Sequence, residues 1–212
     1  NGDLASGSGD NTIIIWDLNT CGLKSQLKGH SNSVYSLAVL PNGDLASGSE
    51  DNTIIIWDLN TCGLKSQLKG HSRPVSSLAV LPNGDLASGS YDKTIIIWDL
   101  NTCGLKSQLK GHSDWVWSLA VLPNGDLASG SGDNTIIIWD LNTCGLKSQL
   151  KGHSNPVLSL AVLPNGDLAS GSGDNTIIIW DLNTCGLKSQ LKGHSNWVQS
   201  LAVRSEEHTS EL

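Results

Sequence analysis

Serine, histidine and aspartate, the residue types of a hydrolytic triad, recur in each 41-residue stretch of this chain, and a cysteine recurs with them. Nucleophilic catalysis needs one exposed hydroxyl, an oriented base, an oxyanion hole and a substrate cleft, and a single such site suffices. Here the same residues return at the same spacing, and no copy departs from the others by gathering unique polar residues in a cleft, as a reacting centre would. Cys21, Cys62, Cys103, Cys144 and Cys185 stand 41 residues apart, without a CxxC pair to hold zinc. They fit a turn residue copied with its unit in a reducing, cytoplasmic compartment. The expectation is a chain that is not an enzyme and uses no metal or cofactor.

The repetition dictates the elements that carry these residues. Asn-Gly-Asp returns at Asn1, Asn42, Asn83, Asn124 and Asn165, dividing the chain into units 1–41, 42–82, 83–123, 124–164 and 165–203. A copied unit also explains a composition with 8 Trp and neither Phe nor Met. Four short strands are predicted per unit. Val34–Leu40 is apolar and stops at Pro41, and Asn42-Gly43 is a hairpin turn signal. Asp44–Ser49 follows, with Gly48 allowing another backbone to approach closely. Thr53–Asp58 (TIIIWD) is a β-branched run of the kind covered on both faces. Leu64–Lys69 is more polar, and its lysines suit an outer edge. One four-stranded sheet cannot bury both faces alone and must stack on copies of itself. The predicted fold is all-β, a β-propeller or open propeller arc of four-stranded antiparallel blades.

Two dipeptides make a family visible. Gly-His precedes a first strand at Gly29-His30, Gly70-His71, Gly111-His112, Gly152-His153 and Gly193-His194. Trp-Asp closes a third strand at Trp16-Asp17, Trp57-Asp58, Trp98-Asp99, Trp139-Asp140 and Trp180-Asp181. With a period near 40, this pattern resembles the WD-repeat β-propellers, in particular a subset with near-identical blades and hypervariable top-face positions. The resemblance covers Asn1–Val203. It implies a buried hydrogen-bonded network in each blade: His30, Ser47, Asp51 and Trp57; His71, Ser88, Asp92 and Trp98; His112, Ser129, Asp133 and Trp139; His153, Ser170, Asp174 and Trp180. The first unit has Ser6, Asp10 and Trp16 but no preceding histidine.

Differences between the copies concentrate at five positions. Gly9, Glu50, Tyr91, Gly132 and Gly173 precede the network aspartate, and Asn11, Asn52, Lys93, Asn134 and Asn175 follow it. Two more sit after Gly-His-Ser, giving Asn32-Ser33, Arg73-Pro74, Asp114-Trp115, Asn155-Pro156 and Asn196-Trp197. The fifth enters the first strand as Tyr35, Ser76, Trp117, Leu158 and Gln199. Drift after duplication would also scatter changes through the exposed Leu-Lys-Ser-Gln-Leu-Lys stretch, which is identical in all five copies. Both tyrosines, and Trp115, Trp117 and Trp197, occupy variable positions, and these are residue types that dominate binding hot spots. In the implied fold these positions share one end of each blade. The expected function is a protein–protein interaction scaffold, part of a larger signalling or sensor protein. A protein or peptide partner would meet Ser33, Tyr35, Glu50, Arg73, Pro74, Tyr91, Lys93, Asp114, Trp115, Trp117, Leu158, Trp197 and Gln199. The alternative is a structural or oligomerising propeller with no specific ligand.

The remaining expectations concern partners and ends. A net charge of −7 argues against a nucleic-acid surface, which needs clustered basic charge. Apolar runs of a few residues are far short of the ~20 needed to span a bilayer, so no membrane is expected. Arg204–Leu212 (RSEEHTSEL) breaks the repeat and reads as the in-frame translation of a sequencing adapter, hence as a non-native tail. With cuts at both ends, the fragment either closes by pairing Val198–Val203 with Asp3–Ser8 or remains an arc. An arc would self-associate through its open blade faces.

Overall fold

The structure, a computed structural model, describes residues 2–204; residues 205–212 of the expected non-native tail lie outside the described residues. The described chain folds into one three-stranded and four four-stranded antiparallel sheets, with no helix among them. The first holds β1 (Asp3–Gly7), β2 (Thr12–Asp17) and β3 (Gly22–Lys28); the second, β4 (Val34–Val39), β5 (Leu45–Ser49), β6 (Thr53–Asp58) and β7 (Gly63–Lys69). The third comprises β8 (Val75–Val80), β9 (Leu86–Ser90), β10 (Thr94–Asp99) and β11 (Gly104–Lys110). The fourth holds β12 (Val116–Val121), β13 (Leu127–Ser131), β14 (Thr135–Asp140) and β15 (Gly145–Lys151); the fifth, β16 (Val157–Val162), β17 (Leu168–Ser172), β18 (Thr176–Asp181) and β19 (Gly186–Lys192). Strand order follows chain order in every sheet.

Each sheet is one blade, and its core is made with its neighbours. Ala46, Ile54, Ile56 and Leu68 of the second blade meet Val75, Leu78, Leu86, Ile96 and Trp98 of the third, all buried. The β-branched run therefore has one face on each adjacent blade, and Ile54 to Trp57 are all buried. Gly48 is needed at this junction, because a Cβ there would lie 2.8 Å from Cγ1 of Val75 in the next blade. Serines on the innermost strands add pins between blades: Leu78 N donates to Ser36 Oγ at 3.0 Å, and Leu119 N to Ser77 Oγ at 3.1 Å. The Pro41-Asn42-Gly43 turn is closed by Gly43 N donating to Leu40 O at 2.9 Å, with Gly43 at a left-handed φ of 86°.

The blades form an unclosed propeller arc. β1 pairs with β2 alone, and Val198–Val203 adopts no strand, so the ladder that would close a ring is not formed. The end blades show it in their exposure. Leu4 is 53% exposed where its equivalent Leu45 is 1%, and Leu191 is 48% where Leu150 is 2%.

Candidate functional site

The histidine network assembles in four places with nearly superimposable geometry. Thr53–Asp58 returns Trp57 beside β5, and its indole N–H donates to Ser47 Oγ at 2.8 Å. His30, in the loop entering the blade, lies 2.7 Å from that hydroxyl through Nε2 and 2.8 Å from Asp51 Oδ2 through Nδ1. With the proton on Nδ1, the ring donates to the carboxylate and accepts from serine. Asp51 also accepts from Ser31 N at 3.0 Å and from Thr53 N and Oγ1 at 3.0 and 2.7 Å, so one carboxylate ties the loop to the second turn. Gly29 belongs to the same device: a Cβ there would stand 2.9 Å from the edge of Trp57.

The electrostatics follow from that hydrogen bonding. Burial pushes the Asp92 carboxyl upward, but donors from His71 and Thr94 outweigh it and hold the pKa down to about 2. Burial is likewise overcome by Thr176 and His153 at Asp174, also near 2, and the shifts at Asp51 and Asp133 run downward too. Ser47, Ser88, Ser129 and Ser170 have no solvent exposure, so no substrate reaches the hydroxyl that a triad would use. In the first blade Trp16 Nε1 still donates to Ser6 Oγ at 2.8 Å, without a histidine. At the other end His194 is exposed.

The variable positions come together on these same loops, beside the network residues. Backbone bonds join them directly within each blade: Glu50 N donates to Ser33 O at 2.9 Å, Tyr91 N to Pro74 O at 3.0 Å, Gly132 N to Trp115 O at 2.8 Å and Gly173 N to Pro156 O at 2.9 Å. The fifth variable position is the extra residue of a β-bulge. Val34 pairs with Ser49 and Ser36 with Gly48, leaving Tyr35 unpaired, and Ser76, Trp117 and Leu158 occupy the same place. A bulge releases its side chain from the pleat and re-aims it.

The aromatic members form one cluster across three blades. Tyr91 stacks on Trp115 with ring centroids 4.3 Å apart and planes at 10°. Trp117 lies 5.0 Å from Tyr91 and 5.6 Å from Trp115, and Tyr35 is 6.3 Å from Tyr91. Burial, then the neighbouring Tyr35 and Glu50, pushes the Tyr91 phenol up to about 12. Beyond Trp117 a hollow of about 280 Å³ is lined by Trp117, Leu158, Trp197 and Gln199. Trp115 and Trp197 are exposed, whereas Trp117 is half-buried against its aromatic neighbours. Arg73 is exposed, and Asp114 accepts from Trp115 N through Oδ1 at 2.8 Å. Lys93 has a different role from its neighbours on this face. Its φ is 71°, and its ammonium donates to Ser113 O in the following loop at 2.7 Å, where Asn134 reaches Ser154 O at 3.2 Å.

Sequence reasoning missed the opposite end of the blades. Lys65 on the outer strand bridges β6 to reach buried Asp44 at 2.6 Å, and Asn42 Nδ2 donates to the same oxygen at 2.8 Å. The pair repeats in every described blade, and the invariance of Asn-Gly-Asp and of Lys65's equivalents was the available signal. The five cysteines are free and exposed, each at a left-handed φ of 52–54°. Among the described residues no group of three metal-ligating side chains converges, and no helix is long and apolar enough to cross a membrane.

No curated protein matches the chain. The family model described as WD domain, G-beta repeat matches residues 1–17, 21–58, 62–99, 103–140 and 144–181, each match ending on a Trp-Asp pair. Spanning most of the sequence, and coinciding with the repeated Gly-His to Trp-Asp blades, these matches show that the chain belongs to the WD40 repeat family.

Proposed function

We infer that this array is a protein-recognition module whose contact surface is the variable end of the blades. WD40 repeats generally mediate protein–protein interaction; the finer reading rests on one observation. Tyr35, Tyr91, and the pair Trp115 and Trp117 come from three different blades yet touch, and the hollow between Trp117 and Trp197 continues the same apolar strip. Aromatic side chains held rigid by each other lose little conformational entropy on binding, and rings around a recess are what hot spots are made of. Ser33, Glu50, Arg73, Pro74, Asp114, Leu158 and Gln199 supply the surrounding polar and apolar rim. The networks beneath act as the scaffold, and the chain performs recognition rather than catalysis.

The test is selection of a displayed random peptide library on the folded chain. Because Trp117 is half-buried in the cluster, the informative variant is Trp115→Ala with Trp197→Ala, both exposed. Selected peptides should lose at least about tenfold in affinity, the ~1.4 kcal/mol scale of a hot-spot residue, while the variant still melts cooperatively and its melting temperature falls only by the few degrees that unstacking Trp115 from Tyr91 costs. Peptides that bind the double variant equally well would remove the aromatic strip from recognition.

A further inference from the structure

We propose that the segment this surface takes is basic: an extended peptide whose arginine guanidinium lies over the aromatic stack, between the carboxylates of Glu50 and Asp114. This rests on the recognition reading above and names the chemistry of the partner. The residues concerned belong to the three consecutive blades that begin at β4, β8 and β12.

The face of an aromatic ring is electronegative and attracts a cation held within about 6 Å of its centre, tryptophan most strongly. One face of Trp115 is covered by Tyr91, 4.3 Å away, and Trp117 leans against it at 56°. Trp115 still keeps 38% exposure, and Tyr35, at the other end of the cluster, keeps 45%. Burial first, and the Glu50 carboxylate after it, push the Tyr35 phenol up, and the same carboxylate contributes at Tyr91. Both tyrosines therefore stay neutral, and Glu50 lays a negative field over their end of the stack.

The two carboxylates lack a cation of their own. Glu50 and Asp114 are half-buried, and among the described residues no lysine, arginine or histidine nitrogen lies within 4.0 Å of either. The network aspartates, by contrast, each have a histidine, and Asp44 has Lys65. Asp114 is seated by its neighbours: Oδ1 accepts from Trp115 N at 2.8 Å, and a Cβ on Gly132 would stand 3.0 Å from Oδ2, so the glycine leaves that oxygen its place. Of the cations at this end, Lys93 gives its ammonium to Ser113 O and Arg73 is exposed. A charge partly withdrawn from water and left unpaired gains most from a partner of opposite sign. Arginine suits both halves of the site, because a planar guanidinium stacks on an indole and forks two N–H groups onto a carboxylate, which an ammonium does not. An acidic segment would meet both carboxylates with like charge.

Peptides selected from the displayed library on the parent chain are the probes. Arginine should be over-represented among them. Replacing it by citrulline, its uncharged isostere, should weaken binding at least about tenfold, the scale of a hydrogen bond to a charged group. Lysine in its place should recover only part of that loss. The double variant Asp114→Asn with Glu50→Gln should weaken the arginine peptides by a similar factor and bind their citrulline forms as the parent does. Asparagine holds the place of Asp114 in three other copies, and Asn32 and Asn196 accept from the next backbone N–H at 2.9 and 2.8 Å, so the fold tolerates the exchange. The citrulline comparison uses the parent chain alone and stands whatever the variant does. A selection without binders overturns the recognition reading and this one with it. Binders dominated by apolar or acidic residues overturn this proposal alone. So do citrulline or lysine peptides as tight as the arginine ones, and arginine peptides indifferent to the double variant.

Discussion

Lys93 illustrates how a single variable residue is answerable to the backbone as well as to a partner. Its position follows a tight turn and takes a left-handed φ of 68–71° in every copy, where the other four carry asparagine. Asparagine tolerates that region, whereas a long side chain with a Cγ methylene is strained there. The ammonium bond to Ser113 O is exposed and holds a flexible side chain in one conformation, which offsets much of its benefit. Lys93→Asn should therefore stabilise the chain by about 1 kcal/mol, with the amide taking over the tie as Asn134 does. Chemical denaturation of the two proteins checks it; a lower midpoint for the asparagine variant would mean that the ammonium tie outweighs the strain. The same logic qualifies Trp117, whose indole is part of the cluster's own packing and so of the fold's stability as well as its surface.

At the scale of strands and loops, the histidine networks are the devices that lock one element to another, and their carboxylates make that lock sensitive to acid. Asp92 and Asp174 are held near 2 in the folded chain against an ordinary 3.8. A depressed carboxyl binds protons more readily in the unfolded chain. Its contribution is therefore complete above about pH 4 and is lost as pH falls from there toward 2. After discounting for residual exposure, the Asp92 and Asp174 networks should each lose roughly 1 kcal/mol over that window. Denaturation midpoints measured across the window should fall, and Asp92→Asn should show a shallower fall from a lower starting stability; equal slopes would mean the Asp92 carboxyl is not the titrating lock. Strand order and blade stacking were legible in the residues because turns, β-branched runs and lysine edges each follow local rules. Even the neighbourhood of positions 33 and 50 was readable, since both flank the same end of a hairpin. The bulge at Tyr35 was not, because it is decided by which ladder bonds Val34 and Ser36 make across to β5. Nor was ring closure, because the angle between blades comes from packing at junctions and not from any one unit's sequence.

For the whole molecule, near-identical units provide an internal control that few proteins offer. The segment TIIIWD occurs five times as β2, β6, β10, β14 and β18, so intrinsic exchange chemistry and strand propensity are the same in each. Only the neighbours differ. All four residues from isoleucine to tryptophan are buried in β6, β10 and β14, but only alternate ones in β2 and β18, whose blades are covered on one face. In a stack of units the stability of each is its own term plus one for every covered face, so an end blade opens without the rest. Amide exchange in dilute solution should therefore rank β6, β10 and β14 as the most protected and β2 and β18 as the least. Equal protection in all five would mean instead that the arc opens only as a single cooperative unit.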